Sequence, residues 1–125
     1  MRRKTVLVIE DNEMNMKLVR VLLQKEQYDI LEAVDAESGI SLARAHKPDL
    51  ILMDVHLPGM DGLSATRIIK EDSALNQIQV IALTSYAMEG DETKAIEAGC
   101  DGYITKPIDT RTFLDTIRKF INGGR

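Results

Sequence analysis

Three uninterrupted apolar runs, VLVI at residues 6–9, LILM at 50–53 and VIAL at 80–83, constrain the fold of this chain more than any other feature. Each is short and built from β-branched or large aliphatic side chains, which is the signature of a strand rather than a helix. A strand with one wet face alternates apolar and polar residues. A run with no polar break belongs to a strand covered on both faces, as in a parallel sheet with helices on either side. The stretches between the runs supply those helices. Residues 12–25 place Leu18, Val19 and Leu22 on one face, and residues 36–46 turn Ile40 and Ala43 inward and stop before Pro48. Residues 63–71, residues 88–98 closed by Gly99, and residues 110–121 capped by Asp109 complete the set. The last of these carries a stripe of Phe113, Leu114, Ile117, Phe120 and Ile121. Strands are predicted at 5–10, 29–33, 49–54, 79–84 and 102–105. Strand followed by helix, five times over, is an α/β domain with a parallel sheet.

Length bounds how much such a chain holds. At 125 residues it makes one domain, spanning 1–125 with a core at about residues 4–122, and needs no metal or disulfide to fold. One cysteine leaves no internal disulfide and points to a reducing, cytoplasmic setting. The apolar runs are far too short to cross a bilayer, and Glu10 and Asp11 interrupt the N-terminal stretch before a signal-peptide core develops. A formal charge of −4 argues against nonspecific nucleic-acid binding, and two Phe with three Tyr are too few for a base-stacking platform. Arg2, Arg3 and Lys4 read as a solvated end rather than a nucleic-acid arm.

In open parallel sheets the functional crevice lies at the carboxyl ends of the strands. There the chain turns polar. Glu10 and Asp11 end the first strand, Asp54 the third, Thr84 and Ser85 the fourth, and the fifth runs into Lys106 and Pro107. Three carboxylates gathered at one rim repel unless a cation sits among them. An oxygen-only donor set suits Mg²⁺ (or Mn²⁺), which keeps several waters and takes phosphate oxygens. One carboxylate is then a nucleophile toward a phosphoryl group, with Lys106 neutralising the transferring oxygens and Thr84 hydrogen-bonding one of them. Against this chemistry stand simpler roles: acids capping a helix N-terminus at Glu10 and Asp11, a solvated lysine at 106, packing at Tyr103. Cys100 reads as a small buried residue, and Met14, Met16, Met53 and Met88 as packing.

With these residues in place, IEDN at 9–12, MDVHLPGMDG at 53–62, ALTSYA at 82–87 and YITKP at 103–107 resemble the receiver domain of bacterial two-component response regulators. The match covers essentially the whole chain. EDNEMNMKL, KPDLILMD and YAMEGDE resemble the single-domain cell-division type more than the motor-binding type. The resemblance implies a flavodoxin-like (βα)5 doubly wound fold with strand order 2-1-3-4-5, an order for which a receiver domain is itself the standard illustration. It implies Asp54 as phosphoacceptor, and Mg²⁺ held by Asp11 directly, by Asp54, by Glu10 largely through water and by the His56 main-chain carbonyl. Lys106 pairs with the phosphoryl group and the acid cluster, the Lys106–Pro107 bond is cis, and Thr84 and Tyr103 form a switch pair that moves inward. His56 and Tyr86 sit where relatives tune dephosphorylation; Glu10 and Ser85 stand where many relatives have Asp and Ala. The implied partners are a sensor histidine kinase or phosphotransfer protein and a downstream protein target. Contact with that target is switched through the face of the fourth helix, fifth strand and fifth helix, in a monomer or weak dimer.

Three rivals set the alternatives. An aspartate-nucleophile phosphatase carries an acid two residues past the nucleophile; here that residue is His56, and no cap domain is evident. A nucleotide- or flavin-binding domain wants a glycine-rich phosphate loop, and neither G-x-G-x-x-G nor G-x-x-x-x-G-K-[ST] occurs. The third is a receiver excised from a hybrid kinase or larger regulator, against which Met1 at the start and Gly123 and Gly124 at the end favour a complete protein. The leading reading is a phosphorylated switch protein rather than a turnover enzyme.

Overall fold

The computed structural model describes residues 3–85 and 90–122, with the backbone alone at Ser85 and Asp91. The elements run β1 (Thr5–Ile9), α1 (Glu13–Gln24), β2 (Asp29–Ala33), α2 (Ala36–His46), β3 (Leu50–Asp54), α3 (Gly62–Glu71), β4 (Gln79–Ser85), α4 (Asp91–Ala98), β5 (Gly102–Lys106) and α5 (Phe113–Ile121). All five strands pair parallel in the order β2-β1-β3-β4-β5. This is the flavodoxin-like order that the resemblance implied.

The apolar runs are buried from both sides, and the two sides divide by residue parity. Leu7, Ile9, Ile51, Met53, Val80 and Ala82 pack with α2, α3 and Ala95 of α4. Val6, Val8, Leu50, Leu52, Ile81 and Leu83 pack with Val19, Leu22 and Leu23 of α1 and Phe113, Ile117 and Ile121 of α5. Alternation is therefore present in the strands, but both of its faces are apolar, which is why no polar residue interrupts them. Continuing the same parity past the runs, Glu10, Asp54 and Lys106 fall on the α1–α5 side of the sheet, at the carboxyl edge.

Side-chain caps fix where three helices start. Asn12, Asp35 and Asp61 accept from the backbone N–H of Asn15, Ser38 and Ser64 at 2.9, 2.8 and 2.8 Å. The predicted helix at 12–25 is thus α1, with Asn12 as its cap, as its side chain suggested. α2 matches its expected bounds and ends through Lys47 in the left-handed conformation, ahead of Pro48. α5 corrects the sequence expectation: it begins at Phe113, not at 110, and no side chain caps it. The Asp109 carboxylate accepts from the Arg111 N–H at 2.9 Å instead, closing a turn two residues on. Of the helix expected at 88–98, the described part begins at Asp91; Met88 lies outside the described residues. Among the methionines, Met16 and Met53 are packing residues, but Met14 is 82 % exposed, a correction to the expectation that it packs.

Candidate functional site

Each site residue stands where its strand ends. Asp54 is the last residue of β3, whose five positions are all buried. Its Oδ1 accepts from the His56 N–H at 2.9 Å, so the turn leaving the strand orients the carboxylate. Glu10 follows β1 and stays in the ladder through its N–H to the Ala33 carbonyl at 3.0 Å. The β1–β3 register pairs Ile9 with Met53, so the next residues, Glu10 and Asp54, are neighbours. Lys106 ends β5, and its Nζ stands 2.7 Å from Glu10 Oε1 and 3.3 Å from Asp54 Oδ2. Glu10 and Asp54 are 1 % and 4 % exposed, whereas Asp11 is exposed. One carboxylate oxygen from each of Glu10, Asp11 and Asp54 lies within 4.8 Å of the others.

Burying two carboxylates side by side drives their proton affinities apart. Burial first, then the contact with Asp54, pushes Glu10 up to about 7 against the pull of Lys106 and the Asn12 N–H. Burial also pushes Asp54 upward, but Glu10, the His56 N–H and Lys106 together outweigh it and hold Asp54 below the usual carboxylate range. One lysine thus leaves the cluster short of positive charge. An all-oxygen donor set with a charge deficit, one member open to solvent, is what Mg²⁺ or Mn²⁺ fits. The residues present fit such an ion.

The switch candidates lie on neighbouring strands. Thr84 pairs with Thr105 and Ala82 with Tyr103 in the β4–β5 register. Thr84 is 1 % exposed, and its Oγ1 is a buried polar atom without a hydrogen-bond partner among the described residues. Tyr103 is 42 % exposed and borders a cavity of about 370 Å³ that Lys106, Pro107 and Phe113 also line. The Lys106–Pro107 peptide is cis, as the resemblance implied. The His56 side chain is exposed and Cys100 is buried, both as expected. Tyr86 lies outside the described residues, as does the side chain of Ser85.

One feature of the site escaped the sequence. A Cβ on Gly62 would stand 2.0 Å from the Asp54 carbonyl oxygen, so only glycine lets the first turn of α3 approach the end of β3. The Asp61–Gly62 pair carried that signal but reads equally as an ordinary turn. The Glu10–Lys106 contact joins residues 96 apart and has no local trace, and it was the resemblance that implied the pairing of Lys106 with the acid cluster.

A strand-end nucleophile candidate, an acid cluster and a lysine at the end of β5 are matched together in a known family. The sequence profile described as "Response regulator receiver domain" matches residues 6–118. This chain is a receiver domain. It is 44 % identical to the polar-differentiation response regulator DivK of Brucella anthropi over 118 residues, which cover 94 % of this chain and 96 % of that protein. The receiver domain of sensor histidine kinase PA1611 from Pseudomonas aeruginosa, solved with a magnesium ion coordinated in its active-site cleft, is 30 % identical. It superposes with a TM-score of 0.89 over 98 % of this chain and 100 % of that one. The Mn²⁺-bound form of response regulator Rcp1 is 25 % identical, with a TM-score of 0.79 over 94 % of this chain and 93 % of that one. As a response regulator receiver the protein is a phosphoacceptor of a two-component phosphorelay, not a turnover enzyme, and membership implies a histidine kinase as partner. Among the described residues no helix is long and apolar enough to cross a membrane.

Proposed function

We propose that this receiver is a stand-alone response regulator whose phosphoacceptor is Asp54. The observation that carries the assignment is the environment of its carboxylate. Asp54 is buried at the end of the central strand, held below the usual carboxylate range, oriented by the His56 N–H and 3.3 Å from the Lys106 ammonium. An ionised, oriented carboxylate is what attack on a phosphohistidine needs. An Asp54 oxygen forms the new bond to phosphorus, the phosphorus–nitrogen bond breaks, and the donor imidazole leaves, giving an acyl phosphate. Lys106 meets the charge on the phosphoryl oxygens. Asp11, Asp54 and the His56 main-chain carbonyl would hold Mg²⁺ or Mn²⁺, with Glu10 beside them. When bound, the ion supplies charge neutralisation for the phosphoryl oxygens.

Thr84 and Tyr103 form the switch pair in this reading. The unpaired Thr84 hydroxyl gains a partner when a phosphoryl oxygen is present, and Tyr103 turns from solvent toward the interior. A local charge change then biases the α4–β5–α5 face, through which a downstream protein is bound by a monomer or weak dimer. Similarity to DivK across nearly the whole of both chains supports the stand-alone role and a cytoplasmic phosphorelay partner. The likeness to a histidine kinase receiver supports the second reading, a receiver from a hybrid kinase. The test is uptake of acid-labile phosphate from a phosphohistidine donor with Mg²⁺, read by intact mass. The wild type gains one phosphoryl group and Asp54→Asn gains none; equal uptake by the variant overturns the assignment.

A further inference from the structure

The buried hydroxyl of Thr84 has a neighbour able to satisfy it, yet the two do not bond. The β4–β5 register sets Thr84 beside Thr105. Val80 and Ala82 pack in the cluster that includes Ala95 of α4, and Thr84 continues their parity. Ile104 packs in the opposite cluster, which turns Thr105 to the same side of the sheet as Thr84. Paired strands lie about 4.8 Å apart, so hydroxyls on facing β-carbons come within reach of each other. Thr84 Oγ1 nevertheless has no partner among the described residues, while Thr105 Oγ1 donates to Glu92 Oε2 at 3.3 Å. Glu92 is exposed and stands in the first turn of α4, which opens at Gly90 without a side-chain cap. The free N–H groups of such a turn attract an acid. Glu92 reaches across to β5 instead.

We infer that Glu92 is a positioning residue that holds the Thr105 hydroxyl away from Thr84 and so keeps Thr84 free for a phosphoryl oxygen. The inference rests on Thr84 as the hydroxyl that meets the phosphoryl group. Released from Glu92, Thr105 has a single side-chain torsion to turn, and a bond across the ladder would satisfy a buried oxygen. Whichever hydroxyl then donates, Thr84 is held against β5, and the phosphoryl oxygen has to break that bond to gain its own. Glu92 thus leaves one polar atom unsatisfied at the rim and lets the phosphoryl group supply its partner. The acid acts through Thr105 and touches no reacting atom, so its effect depends on the competing hydroxyl being there.

That dependence separates the proposal from a general effect of charge. Removing an acid near an anion site strengthens anion binding by electrostatics alone; removing the holder of Thr105 weakens it. The experiment uses the full chain with saturating Mg²⁺ and beryllofluoride, a tetrahedral phosphoryl analogue. Affinity is taken by calorimetry, and the Thr105 side-chain rotamer by NMR couplings in the unliganded protein. Wild-type binding that Asp54→Asn abolishes and Thr84→Val weakens establishes the underlying reading; binding that Thr84→Val leaves unchanged refutes that reading and the proposal with it. Glu92→Ala should turn Thr105 to a second rotamer and weaken beryllofluoride binding roughly fivefold. Glu92→Gln keeps an acceptor oxygen, and should keep the wild-type rotamer and bind at least as tightly as wild type. Thr105→Val deletes the competing hydroxyl at constant shape, so the double variant Glu92→Ala/Thr105→Val should bind within about twofold of Thr105→Val alone. Where Thr84→Val does weaken binding, a Glu92→Ala variant that binds as tightly as wild type or more tightly overturns the role of Glu92. A double variant as weak as Glu92→Ala overturns it too. Glu92→Ser, too short to reach β5, replaces Glu92→Ala with the same expectations if that variant does not fold.

Discussion

Thr84 carries a strain of its own at the rim of the site. Its hydroxyl is buried and unpaired among the described residues, and a polar group in that position costs about 1–3 kcal/mol. Replacing it with the apolar isostere removes the cost. Thr84→Val should therefore raise stability by about 1 kcal/mol in urea denaturation, while abolishing any difference between phosphorylated and unphosphorylated protein in binding a target. A variant that is destabilised, or that still switches, removes Thr84 from the switch. What made this residue legible was position: the strand interior is apolar to Leu83, and the first polar side chain marks the rim. The same cue found Glu10, Asp54 and Lys106. It failed where function and packing do not depend on strand position. Met14 lies on α1, where an apolar residue at a helical spacing reads as core, yet it is 82 % exposed. Nor does a sequence say which of two adjacent acids is buried; the ladder bond from the Glu10 N–H to Ala33 draws that residue inward and leaves Asp11 outside.

The elements differ in how well local chemistry determines them. α2 has Asp35 at one end and Pro48 beyond the other, and its observed bounds are the expected ones. α5 has neither a side-chain cap nor a proline, and it starts late because Asp109 closes a turn with Arg111 instead. Competition of that kind, between a cap and an Asx turn, is settled by the surrounding chain and not by the residue itself. α3 shows a third case, an element positioned by a steric allowance. Its first residue, Gly62, donates its N–H to the Val55 carbonyl at 3.2 Å, and its missing Cβ lets the helix abut the carbonyl of Asp54. Backbone on both sides leaves no flexible side chain to yield. Gly62→Ala should cost about 2–3 kcal/mol in chemical denaturation and displace Asp54, slowing phosphorylation at saturating phosphodonor. Unchanged stability refutes the close approach. A stability loss with an unchanged rate means that the helix yields and not the strand.

At the scale of the molecule, strand–helix alternation determines a parallel sheet but not which strand lies in the middle; the order came from resemblance, and the pairing of β1 with both β2 and β3 bears it out. That order has an electrostatic consequence. Seating β1 beside β3 buries Glu10 next to Asp54, with a single lysine between them. In metal-free protein the folded state binds the Glu10 proton more tightly than the unfolded chain, with Glu10 pushed up to about 7 from an ordinary 4.5. Between those two values the folded state holds more protons, so stability falls as pH rises and the loss is complete above about 7. Groups that act in the other direction titrate lower. The Ser38 N–H holds Asp35 below its ordinary value and Arg20 does the same for Glu32, so their contribution is lost only as pH falls into the carboxylate range. The window from about 5 to 7 therefore belongs to Glu10. In chelator, the thermal midpoint should drop by roughly 5 °C or more across it, and Glu10→Gln should flatten the curve. Mg²⁺ at a hundredfold its Kd should restore about 2.7 kcal/mol at pH 7.5 through binding to the folded state alone. A metal-free wild type whose midpoint is level from pH 5 to 7, or a Glu10→Gln variant that keeps the slope, shows that the buried pair does not strain the apo fold.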